Sequence, residues 1–346
     1  MNFSNQLITW YNINSRDLPW RQTNDPYKIW LSEIILQQTK VQQGLPYFNN
    51  FIREFPTIFD LANSSEDKVL KLWQGLGYYS RARNLHYTAK YICFTCNGNF
   101  PQNYKDILKL KGVGEYTASA ISSFAFNKNY AVLDGNVIRV LSRVFGIYNY
   151  FDTSSGKKQF KKLADFNLPL KDSYTYNQAI MEFGALVCTP KTPKCINCIF
   201  QDECYAFNNS KVQILPKKQN KIKVKNRYLN FLIVSIGDNV LLKKKNKGIW
   251  SGLYEFPSLE FKKDISKNNV VESSQWTNFF YGNNFQINNI SPIIVHKLSH
   301  QKLHIRFIHI KSDKVKPNTY QLFKKDQLLQ LPVSKAIENY LSQSFI

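Results

Sequence analysis

The chain has 346 residues, 43% of them hydrophobic, which is enough for two or three domains with buried cores. Six cysteines are too few for a disulfide scaffold, no apolar run approaches the ~20 residues of a membrane span, and the first residues lack a signal peptide, so we expect a soluble cytoplasmic protein without a membrane partner. The net charge of +22 favours a nucleic-acid partner, although an Asn- and Lys-rich codon bias would also make the protein basic.

The first two-thirds of the chain has helical patterns. Asp25 and Pro26 predict an N-cap and a first helical residue, and an apolar series follows from Tyr27 to Leu36. Glu33 lies inside this series, where apolar neighbours would raise its pKa, as a general acid requires. The alternative is a solvent-facing glutamate on an amphipathic helix.

Two glycine-containing segments follow. A helical stretch containing Val69 to Trp73 ends at Gly75-Leu76-Gly77. Further on, Leu110-Lys111-Gly112-Val113-Gly114 separates two helical patterns, and its glycines predict a tight hairpin with positive φ angles. The next helix is expected to begin at about Glu115, so its N-terminus would point at the same place and attract a phosphate. The alternative is an ordinary connection between helices.

An aspartate follows the apolar run Tyr130–Leu133. Asp134 precedes Gly135-Asn136 and an amphipathic helix, so it is a natural N-cap. The dipole of that helix would hold the capping carboxylate ionised, and an ionised carboxylate stabilises a sugar cation. Together, Glu33 and Asp134 would provide the two carboxylates that glycosidic cleavage requires.

Four cysteines close this part of the chain after a predicted helix over Ser173–Val187. The gaps between them are six, two and five residues, unlike the two distant pairs of a zinc ribbon, and four thiolates complete one [4Fe–4S] cluster. They are Cys188, Cys195, Cys198 and Cys204. Cys93 and Cys96 form another Cys-x2-Cys, which we interpret as buried inert thiols in a helix rather than a redox pair.

A lysine-rich stretch separates this region from a different pattern. Residues 209–226 predict a basic linker, either a solvated tether or a contact for phosphate. Strand patterns follow at Tyr228–Ile236 and Val240–Leu242, and a further pair at Ile293–Leu298 and His304–Ile310. Residues 227–346 therefore predict a separate α+β domain.

Several motifs in order resemble the MutY-type adenine DNA glycosylases, over residues 8–208 and more weakly over 227–346. The motifs are Leu31–Thr39, Gly75–Leu85, Val132–Val137 and Gln178–Ala185. The resemblance implies a multi-domain protein. Residues 1–208 would be an all-α helix-hairpin-helix glycosylase domain with a [4Fe–4S] loop, and residues 227–346 a Nudix-like lesion-recognition domain.

The resemblance also implies roles in catalysis. Glu33 would protonate the imidazole ring of adenine, Asp134 would stabilise or briefly trap the sugar cation, and Asn136 would orient Asp134. Tyr116 stands two residues after the second glycine of the hairpin, where endonuclease III has the lysine that forms a Schiff base. Because tyrosine has no amine, we expect a glycosylase without a proficient β-lyase step.

Other matched positions imply contacts with DNA. Gln178 is similar to a residue that contacts the flipped adenine, and Gln38, followed by Thr39, resembles a wedge residue, as does Tyr78. The glycines of the hairpin, Gly112 and Gly114, would admit a phosphate. Flipping costs a few kcal/mol, which wedge contacts must offset.

The C-terminal region resembles a Nudix fold from Lys247 to Pro257. The glutamate-rich helix of active Nudix hydrolases does not follow, so hydrolase activity is not expected. Leu298-Ser299-His300 resembles the loop, commonly Phe-Ser-His, with which the family recognises 8-oxoguanine, and Leu298 departs from that pattern. The alternative for Ser299 and His300 is a polar hairpin turn.

The expected function is that of a monomeric, bacterial-type, nucleoid-associated enzyme. Its substrate would be duplex DNA in which adenine is mispaired with 8-oxoguanine or guanine. Two rivals remain at this point: an endonuclease III-like lyase acting on oxidised pyrimidines, and a non-catalytic iron-sulfur protein that binds DNA.

Overall fold

The computed structural model describes residues 2–220, 224–281, 284–314 and 320–344, without the side chains of Lys267 and Ser344. It divides into two compact units. The first unit comprises Met1–Asn63 and Asn84–Lys221, and the second comprises Ser64–Arg83 and Ile222–Ile346. Within the described ranges, no helix combines the length and apolar character needed to cross a membrane.

The first unit is helical. Its helices are α1 (Phe3–Asn14), α2 (Pro26–Leu36), α3 (Val41–Glu54), α4 (Ile58–Asn63), α7 (Tyr104–Lys109), α8 (Glu115–Phe124), α9 (Gly135–Phe145), α10 (Ser154–Asn167), α11 (Ser173–Leu186) and α12 (Tyr205–Asn208), with a 3-10 turn at Pro19–Arg21. Helix α5 (Glu66–Leu72) belongs to the second unit, and α6 (Ser80–Thr95) spans the division at Arg83.

Helix α2 forms the centre of the first unit, because it is apolar almost all round. Asp25 caps it by accepting a hydrogen bond from the Tyr27 N–H at 2.9 Å, as its sequence predicts. Trp30 and Leu31 are fully buried, and the helix packs against α3 and α8. The small residues at the start of α8, from Thr117 to Ala120, are all buried, which lets the two helices approach closely.

The second unit contains a mixed sheet. Its strands are β1 (Lys225–Ile236), β2 (Asn239–Lys244), β3 (Tyr254–Glu255), β4 (Ser258–Phe261), β5 (Phe285–Ile290), β6 (Ile294–Lys297), β7 (Gln301–Ser312) and β8 (Gln321–Lys324). Its other helices are α13 (Lys267–Val271), α14 (Ser274–Phe280) and α15 (Lys335–Ser344), with a 3-10 turn at Lys325–Gln327. The strand predictions at Tyr228–Ile236 and Val240–Leu242 are confirmed.

The sheet is organised around a long parallel pair. Strands β1 and β7 are parallel from Lys225 opposite Gln301 to Ser235 opposite Lys311, and the order is β3-β2-β1-β7-β5. Strand β6 pairs antiparallel with β7, which confirms the predicted strand pair in this region. Residues 229–234 of β1 are all buried, as expected of a central strand that is covered on both faces.

Three details differ from or extend the sequence predictions. Cys93 is buried in α6, but Cys96 follows the end of that helix and is only half-buried, because the chain turns at Asn97 with a positive φ of 51°. In the basic stretch, Leu215 is buried and Asp152 accepts hydrogen bonds from backbone N–H groups at 219 and 220. Residues 221–223 of the predicted linker lie outside the described residues.

Candidate active site

Glu33 is buried in the first unit, with 6% of its surface exposed, so the solvent-facing alternative is wrong. Burial raises the pKa of its carboxyl to about 7, and the nearby Asp134 adds to that increase. The neighbouring Tyr116 hydroxyl, which donates a hydrogen bond to Met181 Sδ at 3.9 Å, and the charge of Arg21 both oppose the increase. A carboxyl with this pKa holds its proton over much of the range in which a general acid must act.

Asp134 caps helix α9, as the sequence predicts. Its carboxylate accepts hydrogen bonds from the N–H groups of Asn136 and Val137 at 2.9 and 2.8 Å and from the Asn136 side chain at 2.7 Å. Burial raises the pKa of Asp134, and these N–H groups together with Arg139 oppose the increase. The sequence predicted that the helix cap keeps this carboxylate ionised. In the structure, the Asn136 side chain and Arg139 also favour its ionised form, and burial opposes it.

The two carboxyls differ in what surrounds them. Two backbone N–H groups at the N-terminus of α9 and the Asn136 side chain stabilise the charged form of Asp134, whereas the neighbours of Glu33 are mainly apolar. Asp134 is also only half-buried, which leaves part of it open to a ligand. A single proton shared by this pair therefore resides on Glu33, which leaves one neutral acid beside one anion.

Gln178 lies on α11 within an arginine and glutamate network. Its Oε1 accepts a hydrogen bond from Arg21 Nε at 3.1 Å, and Arg21 also bonds Glu182 at 2.8 Å. Arg16 holds the same glutamate at 2.7 Å. Burial alone would raise the pKa of Glu182, but the hydrogen bonds from both arginines lower it to about 2.

Arg21 and Glu182 were missed by the sequence analysis. A lone arginine after Pro19-Trp20 shows no periodic pattern, and Glu182 reads as an ordinary helical residue. Their importance arises because they pair across 161 positions of sequence. Only the fold shows that this charged pair fixes Gln178 and reaches Glu33 electrostatically.

Asn177, beside Gln178, was also missed. Its side chain is completely buried and uses its hydrogen-bonding groups on the extended segment that leads to Asp134. Its Oδ1 accepts from the Val132 N–H at 3.2 Å, and its Nδ2 donates to the Tyr130 carbonyl at 2.8 Å and to Ser123 Oγ at 3.0 Å. The side chain of Asn177 thus pairs with backbone N–H and carbonyl groups of this extended segment, as a neighbouring strand would in a sheet.

Arg139 connects the aspartate motif with the cysteine loop. It donates to Asn136 Oδ1 at 2.8 Å and, through Nε, to the Cys188 carbonyl at 2.6 Å. Its remaining bonds go to backbone carbonyls at Gly135 and Gly184. The orientation of Asn136, and hence of Asp134, therefore depends on the backbone at the first cysteine.

The predicted hairpin lies between α7 and α8, and α8 begins at Glu115, as predicted. Gly112 has a φ of +86°, and a Cβ there would meet the Asn84 Cβ at 2.9 Å. Gly114 differs from the prediction, since its φ of −99° is extended backbone that any residue adopts. What Gly114 contributes is open space, because no atom lies within 4 Å of where a Cβ would be.

The end of α2 forms a tight turn. Gln38 is exposed and has a φ of +55°, a left-handed conformation that is unfavourable for a residue with a side chain. The Thr39 N–H closes the turn on the Leu36 carbonyl at 3.1 Å, and the Gln37 side chain bonds Thr117 at 3.3 Å. Strained residues of this kind concentrate at functional sites.

The four predicted cysteines line one pocket, together with Arg143. Arg143 donates to Cys188 Sγ at 3.5 Å, and the Phe200 N–H donates to Cys198 Sγ at 3.4 Å. Within the described residues, no group of three Cys, His or carboxylate side chains is arranged to hold a single metal ion.

The second unit brings Tyr78 and the 298–300 loop together. Ser299 and His300 form the tip of the β6–β7 hairpin, which Leu298 closes through a 2.8 Å hydrogen bond from its N–H to the Gln301 carbonyl. Ser299 and His300 therefore lie in a hairpin turn, and this geometry does not decide between a purely structural turn and a loop that contacts a base. Tyr78 has a left-handed φ of 48°, and its hydroxyl is hydrogen-bonded to Ser299 Oγ.

Comparisons with known proteins are consistent along the chain. Residues 31–165 match the HhH-GPD superfamily of base excision DNA repair proteins, and residues 230–343 match the NUDIX domain. The adenine DNA glycosylase of Buchnera aphidicola subsp. Acyrthosiphon pisum is 35% identical, and the match covers 99% of each chain. That of subsp. Schizaphis graminum is 36% identical, covering 88% of this chain and 86% of the relative.

This chain belongs to the adenine DNA glycosylase family. It is therefore an enzyme of base excision repair that hydrolyses N-glycosyl bonds. The relative from Arabidopsis thaliana is 35% identical, and the match covers 73% of this chain and 46% of the longer plant protein.

Solved structures agree on the fold of the glycosylase part. A thermostable thymine-DNA glycosylase is 31% identical with a TM-score of 0.56, covering 60% of this chain and 95% of that structure. An endonuclease III–DNA complex has a TM-score of 0.53 at 18% identity, covering 60% and 94%, which supports the shared fold alone. The expected all-α helix-hairpin-helix domain with a C-terminal Nudix-like domain is thereby confirmed.

The buried Glu33 predicts a stability cost that depends on pH. Its folded pKa of about 7 exceeds its unfolded value of 4.5, so ionisation destabilises the folded state as pH rises through this interval. Glu33→Gln should raise the free energy of unfolding at pH 8 by up to ~3 kcal/mol, and by under about 1 kcal/mol at pH 5. Urea denaturation at both pH values measures this difference.

Glu182→Gln is the matched control with the opposite sign. The pKa of Glu182 is lowered to about 2, so its ionised form stabilises the fold above pH 4.5 and its replacement should destabilise at pH 8. A Glu33→Gln protein no more stable than wild type at pH 8 would contradict the assignment of a buried, poorly compensated carboxyl.

Asn177 offers a second prediction. Asn177→Asp keeps the shape of the side chain but loses the donor to Tyr130 and Ser123, which displaces the segment leading to Asp134. Single-turnover base excision should slow by about 10²-fold, as expected for a displacement of about 1 Å near the chemistry. The control Asn14→Asp, which removes one exposed bond to the Trp10 carbonyl, should leave the rate unchanged. A folded Asn177→Asp protein with a rate within about twofold of wild type would refute this role.

Proposed function

We propose that this enzyme removes adenine paired with 8-oxoguanine or guanine in duplex DNA, with Glu33 as general acid and Asp134 as the stabilising anion. The observation that carries the proposal is the pair itself: a carboxyl with a pKa of about 7 beside a carboxylate that accepts three hydrogen bonds. The names of the relatives in bacteria and plants support adenine as the base.

The chemistry follows from the protonation states. Glu33 donates its proton to the imidazole ring of the flipped adenine, so the electron pair of the C1′–N9 bond leaves with a neutral base. Asp134 stabilises the positive charge that develops on the sugar, and Asn136 and the N–H groups of α9 hold it in place. Water then adds to C1′ and releases a proton, which leaves an abasic site.

The reaction ends at the abasic site because the hairpin carries Tyr116. Its hydroxyl lies near the Glu33 carboxyl, and burial raises the pKa of Tyr116 well above its usual value. Because tyrosine has no amine, this residue cannot form a Schiff base, and its hydroxyl instead lies near the acid. Borohydride should not trap the enzyme on an abasic duplex.

DNA binding is assigned to both units. The α8 N-terminus beside Gly112 and Gly114 provides N–H groups for a phosphate, and the missing Cβ atoms admit it. Gln38 and Tyr78, both left-handed and exposed, fill the space that the flipped base vacates, with Thr39 supporting the first turn. Gln178, fixed by Arg21, contacts the adenine.

The β6–β7 hairpin is the reader of the opposite base. Ser299 and His300 are exposed at its tip and offer a hydroxyl and an imidazole to the edge of 8-oxoguanine. The hydrogen bond between Ser299 and Tyr78 supports this proposal, because it joins the proposed reader to a proposed wedge residue. Within the proposed organisation, residues 1–208 perform the chemistry, 209–226 connect, and 227–346 read the lesion in a monomeric enzyme.

A [4Fe–4S] cluster fits the four cysteines. Burial raises the pKa of Cys198 to about 11, and the other three thiols add to that increase, so four thiolates require compensating positive charge. A cluster provides that charge, and the N–H donors from Arg143 and Phe200 suit sulfur ligands. When bound, it would brace the loop that presents Lys191 and Lys194, both exposed.

A single-turnover assay tests the function. Adenine opposite 8-oxoguanine should be excised fastest, adenine opposite guanine more slowly, and thymine opposite guanine or an oxidised pyrimidine not detectably. Glu33→Gln should abolish excision but retain binding, because only the proton is lost. Excision of an oxidised pyrimidine with strand cleavage would replace this proposal, and binding without excision by wild type would reject the enzyme assignment.

The reader role has its own test in the same assay. Ser299→Ala/His300→Ala should lower the preference for 8-oxoguanine over guanine by at least about tenfold, since each lost base contact is worth 1–3 kcal/mol. The rate opposite guanine should change little. Unchanged discrimination would refute the role of this hairpin.

The cluster is tested by iron content. Wild type purified without oxygen should hold about four irons per chain. Cys198→Ser should lose most of the iron and the visible absorption, whereas Cys96→Ser, half-buried and outside the pocket, should retain both. One bound zinc, or equal iron in both variants, would overturn the assignment.

A further inference from the structure

The wedge residue Tyr78 is carried by the C-terminal unit. The chain leaves the first unit after Asn63 and returns to it at Asn84, and the intervening residues 64–83 pack with the sheet domain. Tyr78 is in this segment, which we name the wedge segment. The same compact body thus holds both Tyr78 and the reader hairpin.

Charged contacts fasten the wedge segment to strand β2 and its neighbours. Lys244 Nζ bonds Asp67 at 2.6 Å and lies 3.8 Å from Glu66, and the Tyr254 hydroxyl donates to Asp67 at 3.2 Å. Lys71 Nζ donates to the carbonyls of Leu329 and Leu331 at 2.6 and 3.2 Å. One lysine of the sheet domain, Lys244, thus bonds the wedge segment, and one lysine of the wedge segment, Lys71, bonds the sheet domain.

Backbone contacts extend this fastening. The Val333 N–H donates to Gln74 Oε1 at 3.1 Å, and Arg83 donates to the Ser251 carbonyl. A Cβ at Gly252 would lie 3.0 Å from Leu70 Cδ1 and 3.4 Å from Arg83 Cδ, so the loop approaches α5 as closely as glycine permits. Next to this loop, Trp250 has a φ of +65°, which is strained for a bulky residue.

We propose that Lys244 and Lys71 are positioning residues that tie the wedge segment to the reader, so that the base read at Ser299 determines how Tyr78 enters the duplex. Strain at Tyr78, inside the wedge segment, and at Trp250, in the loop that packs against it, is tolerated because these contacts hold the segment and the loop together. Loosening them lets Tyr78 enter regardless of the opposite base, so discrimination falls while the chemistry at Glu33 and Asp134 persists. The inference rests on the proposed reading of 8-oxoguanine.

A charge-swap cycle tests this coupling. Lys244→Asp places a carboxylate against Asp67 and Glu66 and should lower the ratio of excision rates opposite 8-oxoguanine and guanine roughly fivefold. Asp67→Lys should act similarly, and the double swap should restore the ratio to within about twofold. Lys71→Met, which removes the bonds to two carbonyls, should also lower it. A generally destabilised protein would instead lose both rates together.

The matched control is the Lys161–Asp165 pair in the first unit, also at 2.6 Å with similar exposure. Its single and double swaps should leave the ratio unchanged. In a Glu33→Gln background, 2-aminopurine beside the lesion reports wedge entry, and its fluorescence should become similar opposite both bases in Lys244→Asp. Wild type without discrimination would reject the reader function, and with it this coupling. A discriminating wild type whose Lys244→Asp and Lys71→Met variants keep the full ratio would overturn the coupling alone.

Discussion

The burial of Glu33 next to Asp134 is the constraint on which the catalytic unit depends. A carboxyl inside an apolar helix costs free energy when it ionises, and a second carboxyl nearby increases that cost. The fold tolerates both because it treats them differently. Asp134 accepts hydrogen bonds from the N–H groups of a helix N-terminus, whereas burial dominates at Glu33 and outweighs the Tyr116 hydroxyl and the charge of Arg21.

Much of the first unit fixes these two groups. Asn177 holds the segment before Asp134, and Arg139 connects Asn136 to the backbone of Cys188. On the other side, Arg21 joins Gln178 to Glu182. The cysteine loop and Asp134 are thus parts of one hydrogen-bonded network, so a change in the loop reaches Asp134 through only two side chains, Arg139 and Asn136.

The sequence predicted what local patterns encode. The Asp25 cap, the apolar helix around Glu33, the Asp134 cap and the hairpin before Glu115 follow from composition within a few residues. The long-range partners were not predictable, because Arg21, Asn177 and Arg139 act through contacts that span tens of residues. Nothing in the pattern of an amphipathic helix marks which arginine on it is buried.

Two other predictions differ from the structure. Gly114 was expected to have a positive φ, but the tight turn needs that conformation at Gly112 alone. The wedge segment was expected to belong with the helices around it, as its sequence is helical. Its packing with the C-terminal sheet depends on charges at Asp67, Lys71 and Lys244, which in the sequence resemble ordinary surface residues.

The most direct test of the central claim is the pH dependence of adenine excision under single turnover. If Glu33 is the acid, the rate should be constant below its pKa of about 7 and should fall tenfold for each pH unit above it. Asp134→Asn, which removes the neighbouring charge, should shift this fall to lower pH in whatever activity remains. A rate that stays constant from pH 6 to about pH 9 would contradict a protonated Glu33 and the mechanism built on it.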